Sequence, residues 1–215
     1  MSQIIILRLE GVLQSWGENA KWNHRTTASF PTKSSIVGLI ACALGLQRGN
    51  YEIFELSSQI NIGVRADRKG FLINDFQTVQ GNPVLGTADG KGRSGKKNTI
   101  ITPRQYLSDA CFTVFIETNR EIQDKIVSAL KNPVWPVYLG RKSCVPSRPV
   151  FENVTDFDSI LSAIQHYPFP TRKDTVIEYE ISGQYGNNSF TRPDNVVGNR
   201  QFANRYVQHG VLKGI

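Results

Sequence analysis

The chain has 215 residues, with 25 Lys or Arg against 18 Asp or Glu and a formal charge of +7. That length supports a sizeable core, in one large domain or two small ones sharing an interface, and so excludes disorder as the default. The basic balance points to nucleic acid or another anionic surface. Its distribution is uneven: residues 86–106 carry five Lys/Arg against one Asp, and 134–150 carry Arg141, Lys142 and Arg148 with no acid. Cys42, Cys111 and Cys144 are odd in number and widely spaced, which fits neither a disulfide framework nor a zinc knuckle. They read as buried thiols in a reducing compartment. The N-terminal apolar run is too short for a signal peptide and is interrupted by Arg8 and Glu10, and no stretch reaches membrane-spanning length, so the expected location is the cytoplasm.

In chain order, residues 3–9 are β-branched and leucine-rich, a first strand, after which Gly11 and Gly17 open a polar connection to Pro31. Thr32 is placed to cap a helix, KSSIVGLIACALG, with Ile36, Leu39, Ile40 and Ala43 at helical spacing and Gly45 at its end. Residues 59–66 alternate as a second strand, with Ile60, Ile62 and Val64 on one face. FQTV (76–79) and TIIT (99–102) are strand-like and flank a glycine-rich basic stretch, GTADGKGRSGKK, at 86–97. Residues 110–117 form a third strand, and 120–130 an amphipathic helix with Ile122, Ile126, Val127 and Leu130 on one side. A loop containing two prolines and a glycine then leads into a strand near 150–154. The order β, α, β, β, α, β is that of an α+β, ferredoxin-like or RNA-recognition domain. From Asp156 a short helix (157–165), a link at Pro168 and Pro170, a strand (175–182) and a polar tail make a smaller β-rich part. The expected division is 1–155 and 156–215.

The basic stretch nearly matches a phosphate-binding P-loop, with Gly90, Gly95 and Lys96 in place. Lys97 stands where a magnesium-binding Ser/Thr is needed, and Pro103 follows where a helix must start, so nucleotide hydrolysis is not expected. Two roles fit the composition: a solvated hairpin tip, or an RNA-contacting finger presenting Lys91, Arg93, Lys96 and Lys97. His24, His166 and His209 lie far apart, so no metal site is expected, and no cofactor. His24 is a candidate general base on a ribose 2′-hydroxyl, with Lys33 or Tyr106 assisting, although a surface or packing role is the favoured reading. Glu178 and Glu180 share a strand face and read as solvated. Phe112 and Phe115 fall on opposite faces, so the paired sheet aromatics of an RNA-recognition motif are absent and RNA must be held by loops and helix ends. Thr32, Lys33, Ser34 and Ser35 supply hydroxyls, a cation and free N–H groups at a helix start, a ready phosphate site, although capping alone explains Thr32.

Six stretches carry a resemblance: LRLEGVLQSWGE (7–18), FPTKSSIVGLIACALGLQR (30–48), DFQTVQG (75–81), TPRQYLSDACFTV (102–114), YLGRKSC (138–144) and NRQFANRYV (199–207). As a set, the chain resembles the CasD family, the subunit of the type I-E CRISPR Cascade complex that holds the 5′ handle of the guide RNA. The resemblance implies a ferredoxin-like domain with a long β-hairpin thumb at 76–106 and a smaller C-terminal part. It implies a thumb that separates handle from guide and meets the backbone subunit, and a body that cradles the handle and contacts the large subunit. RNA contact is thereby carried onto Gln14, Trp16, Arg25, Lys33, Ser34, Arg104, Tyr106, Gly140, Arg141, Lys142 and Ser143, with cations and small polar groups for phosphate and aromatics for bases. A type I-C branch of the wider family is a metal-independent endoribonuclease using a thumb-region histidine. Between His24 and His166 this sequence has none, so binding without cleavage is the expectation.

Overall fold

The computed structural model describes residues 2–17, 24–80, 99–184, 186 and 188–212. In chain order they form β1 (Ser2–Glu10), β2 (Leu13–Gln14), α1 (Lys33–Leu44), α2 (Tyr51–Gln59), β3 (Asn61–Arg68), β4 (Phe71–Gln80) and β5 (Thr99–Ser108). There follow β6 (Cys111–Glu117), α3 (Arg120–Lys131), β7 (Phe151–Phe157), α4 (Ile160–His166), β8 (Ile177–Ser182), β9 (Ser189–Gly198) and β10 (Gln201–Leu212). Seven strands make one sheet in the order β7-β1-β6-β3-β8-β10-β9, and β2-β5-β4 make a second. Within the first, β7-β1-β6-β3 are antiparallel neighbours, with α1 and α2 between β1 and β3, the β4–β5 hairpin between β3 and β6, and α3 between β6 and β7, an order consistent with the ferredoxin-like split βαβ unit.

The apolar run of β1 follows from its central place, with both faces covered. Ile5, Leu7 and Leu9 enter the main core beneath α1 and α3, while Ile4 and Ile6 join a second cluster with Ile160 and Ile164 of α4. Phe112 and Phe115 divide the same way, so neither points to solvent. α4 lies so close to β3 that a Cβ on Gly63 would come within 2.4 Å of the Ile160 side chain, and only glycine permits that approach. On the same sheet, buried Asp67 accepts from Arg8 and Arg65, and Arg8 also reaches Glu152.

α1 begins and ends where its sequence signals stand. The Thr32 hydroxyl accepts from the Ser35 N–H, and Gly45 takes a left-handed φ of 73°. Several expectations are corrected. α2 is a helix that the polar pattern YEIFELSSQ did not disclose. The hairpin strands run over 71–80 and 99–108, so the thumb begins earlier and ends later than 76–106. The polar C-terminal segment is a long hairpin, β9–β10. β8 pairs with β3, so the C-terminal strands continue the N-terminal sheet, and the expected boundary between 155 and 156 falls inside β7. Glu180 is not solvated: it is 6% exposed and paired in bidentate fashion with buried Arg192. Cys42 is half-buried, whereas Cys111 and Cys144 are buried, and all three are free. The tip cations Lys91, Arg93, Lys96 and Lys97 lie outside the described residues.

Candidate nucleic-acid interface

Three separate segments meet along β5. The chain at 24–28 runs beside it: the Arg25 N–H donates to the Pro103 carbonyl (3.0 Å) and the Gln105 N–H to the Arg25 carbonyl (2.8 Å). Loop 138–144 closes next to it, with the Ser15 N–H donating to the Leu139 carbonyl (3.0 Å) and the Cys144 N–H to the Arg141 carbonyl (2.8 Å). Gly140 makes that approach possible, since its φ is +89° and a Cβ there would lie 1.7 Å from the Ser15 carbonyl oxygen. Arg141 consequently lays its guanidinium 4.6 Å above the Tyr106 ring and donates from Nη2 to the Arg25 carbonyl at 3.0 Å. Its Nη1 is buried without a hydrogen-bond partner.

Arg25, Arg104, Tyr106, Gly140 and Arg141 are thus gathered at one place, with Lys142 and Ser143 exposed on the same loop. Charge accounting sets these cations apart from the arginines that build the fold. Arg8, Arg65, Arg68, Arg120, Arg148, Arg172, Arg192 and Arg205 all pair with carboxylates. Among the described residues Arg25, Arg104, Arg141 and Lys142 pair with none. Cations gathered without counter-charges repel one another, and a polyanion relieves that repulsion.

The helix start at Thr32–Ser35 differs from the sequence expectation. The Lys33 N–H already donates to Asp194 Oδ2 at 2.8 Å, and Arg205 holds that carboxylate from two nitrogens at 2.9 and 2.8 Å. A protein carboxylate therefore occupies the N-terminal end of the helix where a phosphate was expected. The Lys33 side chain is buried, and burial, aided by neighbouring Arg205, lowers its amine to about 8. Thr32 is buried as a cap, while Ser34 and Ser35 remain half-buried.

Two further candidates are core residues. Gln14 is fully buried, its Nε2 donating to the carbonyls of Leu9 (3.1 Å) and Ala110 (2.8 Å). Trp16 is fully buried in the main cluster, so its ring offers no face to a base. Tyr106, 4% exposed, is the platform on which Arg141 rests. His24 is exposed, Lys33 turns toward Asp194 and Arg205 on the seven-stranded sheet, and Tyr106 belongs to the three-stranded one. Among the described residues no three His, Cys, Asp or Glu are grouped to hold a metal.

Gly140 also borders a cleft of about 550 Å³ that the sequence reading missed, between α1, the chain at 46–49, the loop at 135–140 and the β9–β10 turn. Arg48, Trp135, Arg200 and Phe202 stand around it. The signals were present in the acid-free stretch 134–150 and in NRQFANRYV, but nothing local says that these segments meet.

An α+β sheet of ferredoxin-like order, carrying a long hairpin and a surface whose described arginines form no ion pair with a carboxylate, has the build of a polyanion-binding protein. Residues 4–207 match the family model described as CRISPR-associated protein (Cas_Cas5), and the chain belongs to that family. It is 31% identical over 225 aligned positions to the CRISPR system Cascade subunit CasD of Escherichia coli (strain K12), covering all of this chain and 97% of that protein. A chain of a solved CRISPR RNA-guided surveillance complex superposes with a TM-score of 0.81 at 29% identity, covering 97% of this chain and 89% of the other. A second solved Cas protein gives 0.76 at 32% identity, covering 97% and 94%.

Proposed function

We propose that this protein is a Cascade-type subunit that holds the 5′ handle of a CRISPR RNA without cutting it, in cytoplasmic antiviral defence. The observation that carries the reading is the set of unpaired cations Arg25, Arg104, Arg141 and Lys142, drawn from three segments to one surface. Likeness along the whole chain to a Cascade subunit supports it. The arginines and the lysine take the phosphates of the handle, with Ser143 and the half-buried Ser34 and Ser35 as polar neighbours. The hairpin β4–β5 meets the backbone subunit, its tip cations Lys91, Arg93, Lys96 and Lys97 serving RNA or that partner, and the body meets the large subunit. The absence of cleavage is supported by Lys33, the candidate assisting cation, being buried beside Asp194 and Arg205.

The test is to incubate the full chain with its cognate repeat RNA, with and without chelator, and to resolve bound and cleaved products. Retention of intact RNA, weakened at least tenfold by Arg104→Ala with Arg141→Ala, is the expected result. Discrete metal-independent cleavage that disappears in His24→Ala would replace this reading by an endoribonuclease.

A further inference from the structure

A second cavity, of about 380 Å³, opens where the end of β1 meets the segment 167–172 that follows α4. Four arginines line it, Arg8, Arg68, Arg148 and Arg172, against two carboxylates, Glu10 and Glu152. Behind the lining, Asp67 pairs with Arg8 and Arg65, and Asp109 with Arg68 and Arg172. Among the described residues, Arg8, Arg65, Arg68, Arg148 and Arg172 therefore share Glu10, Asp67, Asp109 and Glu152, five guanidiniums to four carboxylates. One further carboxylate would balance the set.

The geometry says where that carboxylate would sit. Glu152 Oε2 already accepts from Arg8 Nε at 2.9 Å, and Arg148 approaches the same oxygen only to 3.7 Å, too far for a hydrogen bond. Among the described residues the Arg148 guanidinium donates to nothing else. Arg172 uses one nitrogen, Nη2, on Asp109 at 3.1 Å. Both side chains are exposed, and a guanidinium has five N–H donors. Each therefore serves the fold through a single contact and keeps donors for an incoming planar acceptor.

The surroundings favour a protein carboxylate over a nucleotide. Phe169, in the lining, has the Arg65 guanidinium 3.9 Å and the Lys173 ammonium 4.3 Å from its ring centroid, so both its faces are taken. Tyr167 is buried edge-on against Phe115. A base finds no ring to stack on here. Beside the cavity, however, Val12 is 77% and Val145 69% exposed. They are neighbours, because a Cβ on Gly11 would lie 2.8 Å from the Val145 carbonyl oxygen and the Ser147 N–H donates to the Glu10 carbonyl at 2.9 Å. The same two segments carry Glu10 and Arg148 of the lining. Uncovered apolar side chains next to an arginine pocket suit a protein chain that carries a carboxylate between apolar residues.

We propose that this end of the molecule is a docking site for a partner protein, whose Asp or Glu enters the cavity between Arg148 and Arg172 while its flanking apolar side chains cover Val12 and Val145. No RNA takes part, so the site stands or falls independently of the RNA-binding reading.

The test titrates the full chain with the fluorescent peptide acetyl-Leu-Glu-Leu-Glu-Leu-amide and with its counterpart carrying glutamine for glutamate. The acidic peptide is expected to bind about tenfold more tightly than the neutral one. Arg148→Ala with Arg172→Ala should weaken it about tenfold, and Val12→Ser with Val145→Ser about threefold. All four positions are exposed, so the fold tolerates these changes. Arg104→Ala with Arg141→Ala should leave peptide binding unchanged, and the Arg148 and Arg172 variant should retain RNA as the wild type does. Equal binding of the two peptides, or no saturable binding of the acidic one at millimolar concentration, overturns the proposal. An equal loss in the Arg104 and Arg141 variant would reduce the effect to net charge and overturns it too. Displacement of the peptide by lower concentrations of inorganic phosphate or short single-stranded RNA would make the cavity a phosphate site. Self-association that depends on Arg148 and Arg172 would make it a contact between copies. Either result overturns the protein partner.

Discussion

At the scale of one residue, Lys33 shows how a cation can sit at a helix start for reasons other than holding a phosphate. Its backbone N–H is held by Asp194, and its ammonium is buried beside Arg205, which brings the amine from 10.5 to about 8. The sign of the linkage follows. Between about pH 8 and 10.5 the unfolded chain holds a proton that the folded chain has lost, so stability rises with pH across that window. Below it the folded protein carries the full cost of a buried charge. Lys33→Met, which keeps the length and apolar character of the stem, is therefore expected to stabilise the protein at pH 7 by up to about 3 kcal/mol. The gain should vanish near pH 10.5. Denaturant unfolding of variant and wild type at the two pH values checks this, and equal stability at pH 7 would show that the amine reaches water. Trp16 carries the same lesson. Flanked by Ser15 and Gly17 it looks like a surface ring, yet it is fully buried because loop 138–144 and the chain at 28–30 close around it, partners more than ten residues further along the chain.

At the scale of elements, the hairpin β4–β5 is the least self-sufficient part of the fold. Each strand has ten residues, about 33 Å of extended chain. Phe71, Leu72, Phe76, Val79 and Ile101 stand exposed along it, Phe71 at 74% and Phe76 at 67%. Leu72, Phe76 and Ile101 share one face of the hairpin and Phe71 and Val79 the other, and uncovered apolar side chains of this kind suit the subunit contact proposed above for the hairpin. Leu72→Ser with Phe76→Ser removes apolar surface that contributes nothing to the isolated fold, so unfolding should shift by less than about 1 kcal/mol. Co-purification with the rest of the complex should fall sharply. A large stability loss instead would place these side chains in an intramolecular contact. Elements were legible in the sequence in proportion to how local their causes are. α1 could be placed almost to the residue because Thr32 and Gly45 state its ends, and α3 because Ile122, Ile126, Val127 and Leu130 make a clear apolar stripe. α2 and the β9–β10 hairpin were missed. Their residues are mixed in polarity, and what fixes them is packing: Ser57 of α2 bonds to Asn195 and Val196 of β9.

At the scale of the molecule, the interface was half legible. The sequence reading grouped Arg25, Arg104 and Arg141, and the fold brings them together, but Gln14, Trp16 and Lys33 were drawn inward by contacts spanning up to 161 residues. The principle that sorts them is charge pairing across the whole fold, which no segment displays alone. Eight arginines are neutralised and serve architecture, and five among the described residues are not. Salt dependence reads this division directly, because each phosphate contact on a single strand contributes about 0.7 to the log–log slope of affinity against salt. Arg104→Ala with Arg141→Ala should therefore flatten the slope by about 1.4, and Arg120→Ala, already paired with Asp124 on the surface, by nothing measurable. Lys96→Ala with Lys97→Ala asks the same of the hairpin tip. A further drop of about 1.4 assigns the tip to RNA, and an unchanged slope assigns it to a neighbouring subunit. If instead the slope responds equally to Arg120 and Arg104, binding follows net charge alone and the arginine surface along β5 has no special standing.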